Sequence, residues 1–431
     1  MNDVVTSLSP LESCFEKNPH FAHIKWLCEF RSKQFKQFLT RGLPTKKEEE
    51  WKYTEIKNAL IPAKMGVQTD LVCANKLAEI KAMTDVFLTF VNGHFVEALS
   101  HTASLAKEIK VCSLSQALDI DENRVKEYLT REIDGKRFPF AKLNAALMTN
   151  GVFVEIPKHI KIHQPIYLLF INTQQHNYLT CPRNLLIVNE GSQATFIEHH
   201  VNETAQHYFT NVVSEIHAAN NARVDYYKLQ EEGHTATHVA NVFVTQKQDS
   251  CVKTYFLSDG AQLAREDLTI WQDAHDVESY LHGLYQTNRD HQHIDHHIHV
   301  DHAHARGKST MMYKGVLDQK SRAVFNGKVH VHPSAQQIQA HQANHNLLLS
   351  SDAEINTKPA LEIYADDVKC THGATIGQLD HEALFYLRSR GVDANEAHMI
   401  LTRAFAEEIY NKMDDTAIRQ YMRKRMKSHD E

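Results

Sequence analysis

The chain has 431 residues, a formal charge of −6 at neutral pH and 42% apolar or aromatic content, which is ordinary for a folded globular protein. That length allows two or three domains with a sizeable core, and the mildly acidic balance gives no reason to expect nucleic acid as a partner. No apolar run approaches the ~18 residues of a transmembrane helix, and the N-terminus, MNDVVTSLSPLESCFEK, lacks a basic segment followed by an apolar core, so neither membrane insertion nor secretion is expected.

The first 150 residues read as helical with one hairpin. Phe21, Ile24, Leu27, Cys28, Phe35, Phe38 and Leu39 follow a helical spacing that Gly42-Leu43-Pro44 ends. The charged run TKKEEEWKYTEI predicts a short helix that brings Trp51 and Tyr53 onto the body. Two alternating runs around Asn92-Gly93, from Val86 to Leu99, predict a hairpin with a type I′ turn. Ser115 to Leu129 and Phe140 to Met148 read as helices.

From Gly151 to Leu379 the pattern becomes short β runs separated by Gly, Asn, Asp and Ser turns. The motif x-V-x-Y recurs at Tyr226, Tyr255 and Tyr280. A spacing of roughly 25 to 30 residues suits successive coils of a β-helix. A β-sandwich is the competing architecture, but sandwiches usually end sooner than this run does. Three helices follow over 380–431. Asp380 caps the first, which Gly391 ends, and Asp393 with Glu396 starts the second. The second has an apolar stripe through Ala397, Ile400, Leu401, Ala404, Phe405 and Ile409. The third places Ile418, Met422 and Met426 opposite a basic face. These helices read equally as a cap on the β body or as a docking surface for another protein.

Several familiar motifs are excluded. GKST at 307–310 lacks the first glycine of a phosphate-binding loop, because His302 stands there, and its context is strand and turn. No GxGxxG, GxSxG or HExxH occurs. Seven cysteines, at 14, 28, 73, 112, 181, 251 and 370, are scattered and never form a CxxC pair, which argues against a disulfide scaffold or a self-contained zinc finger and favours a reducing, cytoplasmic compartment. Thirty histidines are unusual, and many crowd into NRDHQHIDHHIHVDHAHAR at 288–306. His297 and His299 share a strand face, as do His302 and His304, so metal buffering is one reading of this stretch; polar rings bonded in strands and turns is the other.

The densest chemistry lies in LEIYADDVKCTHGATIG at 361–377. Two carboxylates (Asp366, Asp367), a thiol (Cys370) and an imidazole (His372) fall within seven residues. On a strand, Cys370 and His372 point the same way, roughly 7 Å apart. Thiolate and imidazole are ligands that iron and zinc favour, but one strand cannot close a four-ligand site. Three readings stand on the residues alone. They are a buried thiol beside a bonded histidine, a Cys–His nucleophilic pair, and half of a metal site completed from elsewhere.

The stretch NLLLSSDAEINTKPALEIYADDVKCTHGATIG at 346–377 resembles the signature of the SufB/SufD family of iron–sulfur cluster assembly proteins. EALFYLRSRG and RAFAEEIY in the tail, and GLPTKKEEEWKYT at 42–54, are similar to further motifs of that family. The chain length and the VKCTHGAT form resemble the SufD branch. The resemblance implies a right-handed parallel β-helix core over 151–379, flanked by a helical region with a hairpin at 1–150 and a C-terminal helical domain at 380–431. It implies a non-catalytic scaffold subunit that pairs with SufB through the β-helix and with the SufC ATPase through the C-terminal helices. Sulfur reaches the SufB partner from SufS, by way of SufE. The cargo is a nascent Fe–S cluster shared with SufB, with His372 as this chain's metal ligand and Cys370 beside it at the interface. A reduced flavin is associated with the family's complex, but no flavin motif is readable here. A homodimer is the expected alternative state of the chain alone.

Overall fold

The computed structural model describes residues 2–56, 64–67, 78–79, 83–129, 133–173, 177–203 and 206–425. Cys73 and Met426 lie outside them. Between Val152 and Gly377 the chain alternates between two sheets. The first contains Val152–Ile156, Arg183–Val188, Tyr208–Ala218, Ala236–Gln246, Leu263–Gln272, His293–His302, Arg322–Val331 and Glu354–Ile363 in that spatial order. The second contains Ile166–Asn172, Gln193–Asn202, Arg223–Glu231, Cys251–Ser258, Glu278–Thr287, Lys308–Leu317, Ile338–Leu348 and Val368–Gly377. Each of these strands pairs in parallel with its neighbour one turn on, giving a β-solenoid of about seven turns rather than a sandwich. Antiparallel pairing occurs at the start, where Phe87–Val91 meets His94–Phe95 and Lys110–Ser113 meets Val152–Glu155.

The repeat has a different register from the one the tyrosines suggest. Tyr255 pairs with Tyr227, not Tyr226, and then with His282, not Tyr280. Tyr226 belongs to the interior cluster, whereas Tyr227 and Tyr255 stack on the outer face with ring centroids 4.5 Å apart.

The interior is apolar over most of its length, with Phe170, Phe196, Phe256, Ile270, Ile298 and Phe325 among its members. Both outer faces are also covered over part of their length. The helices Asn2–Glu16, Lys25–Arg41, Leu114–Ile120, Glu122–Leu129 and Pro139–Leu147 lie against the first sheet, through clusters that join Phe38, Trp51 and Leu143 to Phe209, and Leu27 and Val125 to Phe153. The predicted helix over 115–129 is broken at Asp121. A capping box formed by Ser113 and Gln116 starts its first half. The charged 45–56 segment forms one 3₁₀ turn, Glu49–Trp51, with Trp51 buried.

The tail helices His381–Ser389, Ala394–Tyr410 and Thr416–Arg425 fold back so that Ala406, Ile409, Tyr410, Ile418 and Met422 pack on the second sheet. Tyr255 donates to the Lys412 carbonyl at 2.6 Å, and Lys314 donates to that of Phe405 at 2.9 Å. The expected stripe is corrected here. Ala397 and Ile409 are buried as expected, but Ile400 and Ala404 are exposed, and Thr402 and Ala406 complete the buried face. No helix among the described residues is long and apolar enough to cross a membrane.

Candidate functional site

In the last turn Ala340 is in register with Cys370, Gln342 with His372, Asn344 with Ala374 and Asn346 with Ile376. Ala340 and Ile338 are core residues, and Cys370 packs at the rim of their cluster with Val329, Val331 and Ala335. Alternation along a strand then turns Cys370, His372, Ala374 and Ile376 toward the solenoid axis. Among the described residues, no further turn lies above them. Cys370 is therefore half-buried, while His372 and Ile376 are exposed although they occupy inward positions.

The floor beneath is polar. Asn344 donates to the hydroxyl of Tyr285 (3.1 Å) and accepts from Thr357 (2.8 Å); Tyr285 in turn donates to Asn346 (2.5 Å). Gln342, directly below His372, is fully buried, and neither its amide oxygen nor its nitrogen has a hydrogen-bond partner. Asn344, Tyr285 and Asn346 bond one another, whereas the two amide atoms of Gln342 go unmet, at a cost of about 1–3 kcal/mol each. The last turn therefore lies over a floor of polar side chains rather than an apolar one.

Burial raises the Cys370 thiol, with only a backbone hydrogen bond to Ala340 opposing it. The chain does not stabilise a thiolate there, which weakens the Cys–His nucleophile reading. Asp366 and Asp367 are exposed in the preceding turn, where Asp367 is held by its backbone: its carbonyl accepts from Gln337 N–H at 2.6 Å and its N–H donates to the Gln336 side chain at 2.9 Å. They do not join the thiol and imidazole. Among the described residues, neither Cys370 nor His372 belongs to a set of three His, Cys, Asp or Glu donors close enough to hold a metal. Among the described residues, Cys28, Cys112, Cys181, Cys251 and Cys370 are free thiols.

The histidine-rich stretch does not act as one unit. His296 and His302 point into the core, and His302 bonds Ser309 (2.9 Å). His297 faces outward, between Asp295 (3.0 Å) and Glu50 (3.0 Å). That contact anchors the 42–54 segment, where the Arg265 guanidinium lies 3.8 Å from the centre of the Trp51 ring and bonds the Glu50 carbonyl and Asp295. The proposed set His297, His299, His302 and His304 is thus split across two faces. The GKST lysine is in a strand, where Lys308 bonds Glu278 at 3.0 Å, as expected for a sequence that is not a phosphate loop.

Sequence reasoning missed a second constellation, inside the solenoid. Glu198, buried completely, accepts from Lys228 (3.0 Å), Tyr226 (2.8 Å), Asn184 (3.0 Å) and Ser214 (2.5 Å), and His200 lies 2.9 Å away. Lys228 also lies 3.8 Å from Glu266, and His238 bridges Glu232 (2.6 Å) and Glu266 (3.3 Å). Its signal was the charged residues within otherwise apolar runs, such as Glu198 to His200 after Thr195-Phe-Ile197.

Comparison with known proteins gives these arrangements a family. Residues 170–405 match the family model described as the SUF system FeS cluster assembly SufBD core domain, and residues 17–168 match that of the SufBD protein N-terminal region. An iron–sulfur cluster assembly SufBD family protein of Synechocystis is 34% identical, covering 86% of this chain and 84% of its own length. The iron–sulfur cluster assembly protein SufD of Escherichia coli is 30% identical, covering 89% and 88% respectively. With both regions matched and relatives of this similarity spanning most of the sequence, the chain belongs to the SufBD family of iron–sulfur cluster assembly proteins.

Proposed function

We propose that the chain is a non-catalytic scaffold subunit of the SufD type, and that the open end of its solenoid is one half of a cluster assembly site. The observation that carries this reading is the uncapped last turn, with Cys370 and His372 on its inward face above a polar floor. A SufB partner end to end with this turn would cover it and supply the ligands this chain lacks. His372 is then the iron ligand on this side and Cys370 its neighbour at the interface. The nascent Fe–S cluster is cargo, passed on to apoproteins, and imidazole with thiolate suits iron.

The tail supports a second contact. Packing of Ala406 and Ile409 on the second sheet leaves Phe385 74%, Tyr386 58% and Ile400 41% exposed. Such an apolar surface fits a docking site, here for the SufC ATPase. ATP-driven movement of two such tails would shift the shared end and open or assemble the site. In this reading the solenoid is right-handed, the chain divides at about 150 and 379, and the complex works in the cytoplasm with sulfur arriving through SufS and SufE. Flavin has no assigned place in this chain.

The test is His372→Ala in the complex purified anaerobically with SufB and SufC. Iron and sulfide loading should fall while subunit stoichiometry stays unchanged. Loading equal to the native complex would remove His372 as a ligand.

A further inference from the structure

A second donor cluster lies on the outer face of the first sheet, away from the inward face of the last turn. His299 and Asp301 are two apart on His293–His302 and share that face. Asp301 is directly paired with His330 on the adjacent strand Arg322–Val331. One donor atom from each of His299, Asp301 and His330 falls within 4.8 Å of the others. His332 completes the group, since the same Asp301 oxygen lies 2.5 Å from His330 Nδ1 and 2.9 Å from His332 Nε2. Burial is graded, from His299 at 8% exposed to His332 with 40% of its side chain exposed, so the group opens to solvent on one side.

Two features are hard to explain as ordinary surface pairing. His299 Nε2 is buried without a hydrogen-bond partner, which native interiors rarely allow. On its other nitrogen, Nδ1 accepts from the Arg137 guanidinium at 2.9 Å. A guanidinium only donates, so the His299 lone pair is on Nδ1 and is held by a cationic group.

We propose that His299, Asp301 and His330, with His332 at the solvent side, bind one divalent first-row transition ion of the Fe(II) or Zn(II) type, and that Arg137 holds the site closed when no ion is present. Imidazole and carboxylate donors select such ions over Mg(II) or Ca(II). A tetrahedral ion with bonds of about 2.1 Å holds its donors roughly 3.4 Å apart. Donors already within 4.8 Å reach that by side-chain rotation on a fixed pair of strands. Arg137 must release His299 first. The ring then ligates through Nδ1, or through Nε2 once its proton has moved to Nδ1. His330 and His332 likewise carry their protons on the nitrogen that does not ligate. The site is independent of the cluster-assembly reading.

The untagged full-length chain, stripped with chelator, is titrated anaerobically with Co(II) and followed by its visible d–d bands, with Zn(II) competition. One saturable equivalent is expected. Asp301→Asn with His330→Ala should weaken it at least about tenfold, and His341→Ala with His345→Ala, a separate outer-face pair, should leave it unchanged. Arg137→Gln keeps every donor and should tighten binding at least about fivefold, as loss of a charge a few ångströms away requires. Absence of a saturable equivalent, or equal affinity in the Asp301/His330 variant, overturns the site. Unchanged affinity in Arg137→Gln overturns its closure by arginine.

Discussion

Replacing Lys228 with methionine tests whether the charges inside the solenoid hold one another. Lys228 is 1% exposed, with Nζ 3.0 Å from a Glu198 oxygen and 3.8 Å from a Glu266 oxygen. At an effective dielectric of ~20 these contacts are worth about 5.5 and about 4.4 kcal/mol of attraction, against several kcal/mol to desolvate the ammonium. Methionine fills the volume of the aliphatic stem, so the loss is electrostatic, and removing one partner of a buried network costs about 3–5 kcal/mol. The two carboxylates do not suffer equally. Glu198 keeps its bonds from Tyr226, Asn184 and Ser214, whereas neither oxygen of Glu266 has a hydrogen bond and its other cationic neighbour is His238.

In the native chain burial pushes Glu266 up, but Lys228 and then His238 hold it below the usual carboxylate range. A depressed group contributes stability above about pH 4.5, lost as pH falls through its folded value. Without Lys228 burial dominates and Glu266 moves above its unfolded value. Its contribution is then present below about pH 4.5 and lost as pH rises. Urea unfolding of Lys228→Met should therefore show its largest deficit, about 3–5 kcal/mol, at pH 8 and a smaller one at pH 5.5. Adding Glu266→Gln should recover most of it. A deficit under about 1 kcal/mol, or one independent of pH, would refute the argument.

Trp51→Ala removes a buried ring under Arg265 and 5.5 Å from Phe140, so the urea midpoint should fall by the equivalent of about 3–5 kcal/mol; a change below about 1 kcal/mol would mean the 42–54 segment is held by other contacts. At the neighbouring clamp, His297 is raised: burial and Arg265 lower it, but Asp295 and Glu50 prevail. Its contribution is full below about pH 6.5 and lost as pH rises through its folded value. The bond to His297 holds Glu50 down to about 2, so the Glu50 share is present above about pH 4.5 and lost in acid, and with 42% side-chain exposure that share is small. His297→Gln should thus cost most between about pH 4.5 and 6.5, and a stability difference that is flat from pH 5 to 9 would contradict this. Phe385→Ser with Tyr386→Ser should leave the melting curve of the chain unchanged and weaken capture of the proposed SufC partner at least about tenfold. Undiminished capture would place the docking surface elsewhere.

Features set by local chemistry were legible in the sequence. The Asn92-Gly93 turn has the two positive φ angles, 52° and 85°, that a type I′ turn needs. Gly42, at φ 73°, ends its helix and bonds back to Phe38, and Asp380 and Asp393 cap theirs. Each depends on a few neighbouring residues. The common direction of Cys370 and His372 was legible for the same reason, since alternation on a strand is a local rule.

What the sequence could not express is which face of a strand meets the core. Where helices cover the outer face, strands such as Ala236–Gln246 are buried throughout and alternation is erased. That hid the true pairing of Tyr227 with Tyr255, the division of the histidines between core and surface, and the choice of Ala406 over Ile400 as the packed side of the tail. Parallel pairing joins residues one full turn apart in the chain, so register is decided by how successive turns stack. Sequence alone placed a thiol and an imidazole on one side of one strand. Only the stacking determined that this side is the inside of the last turn, open above Gln342.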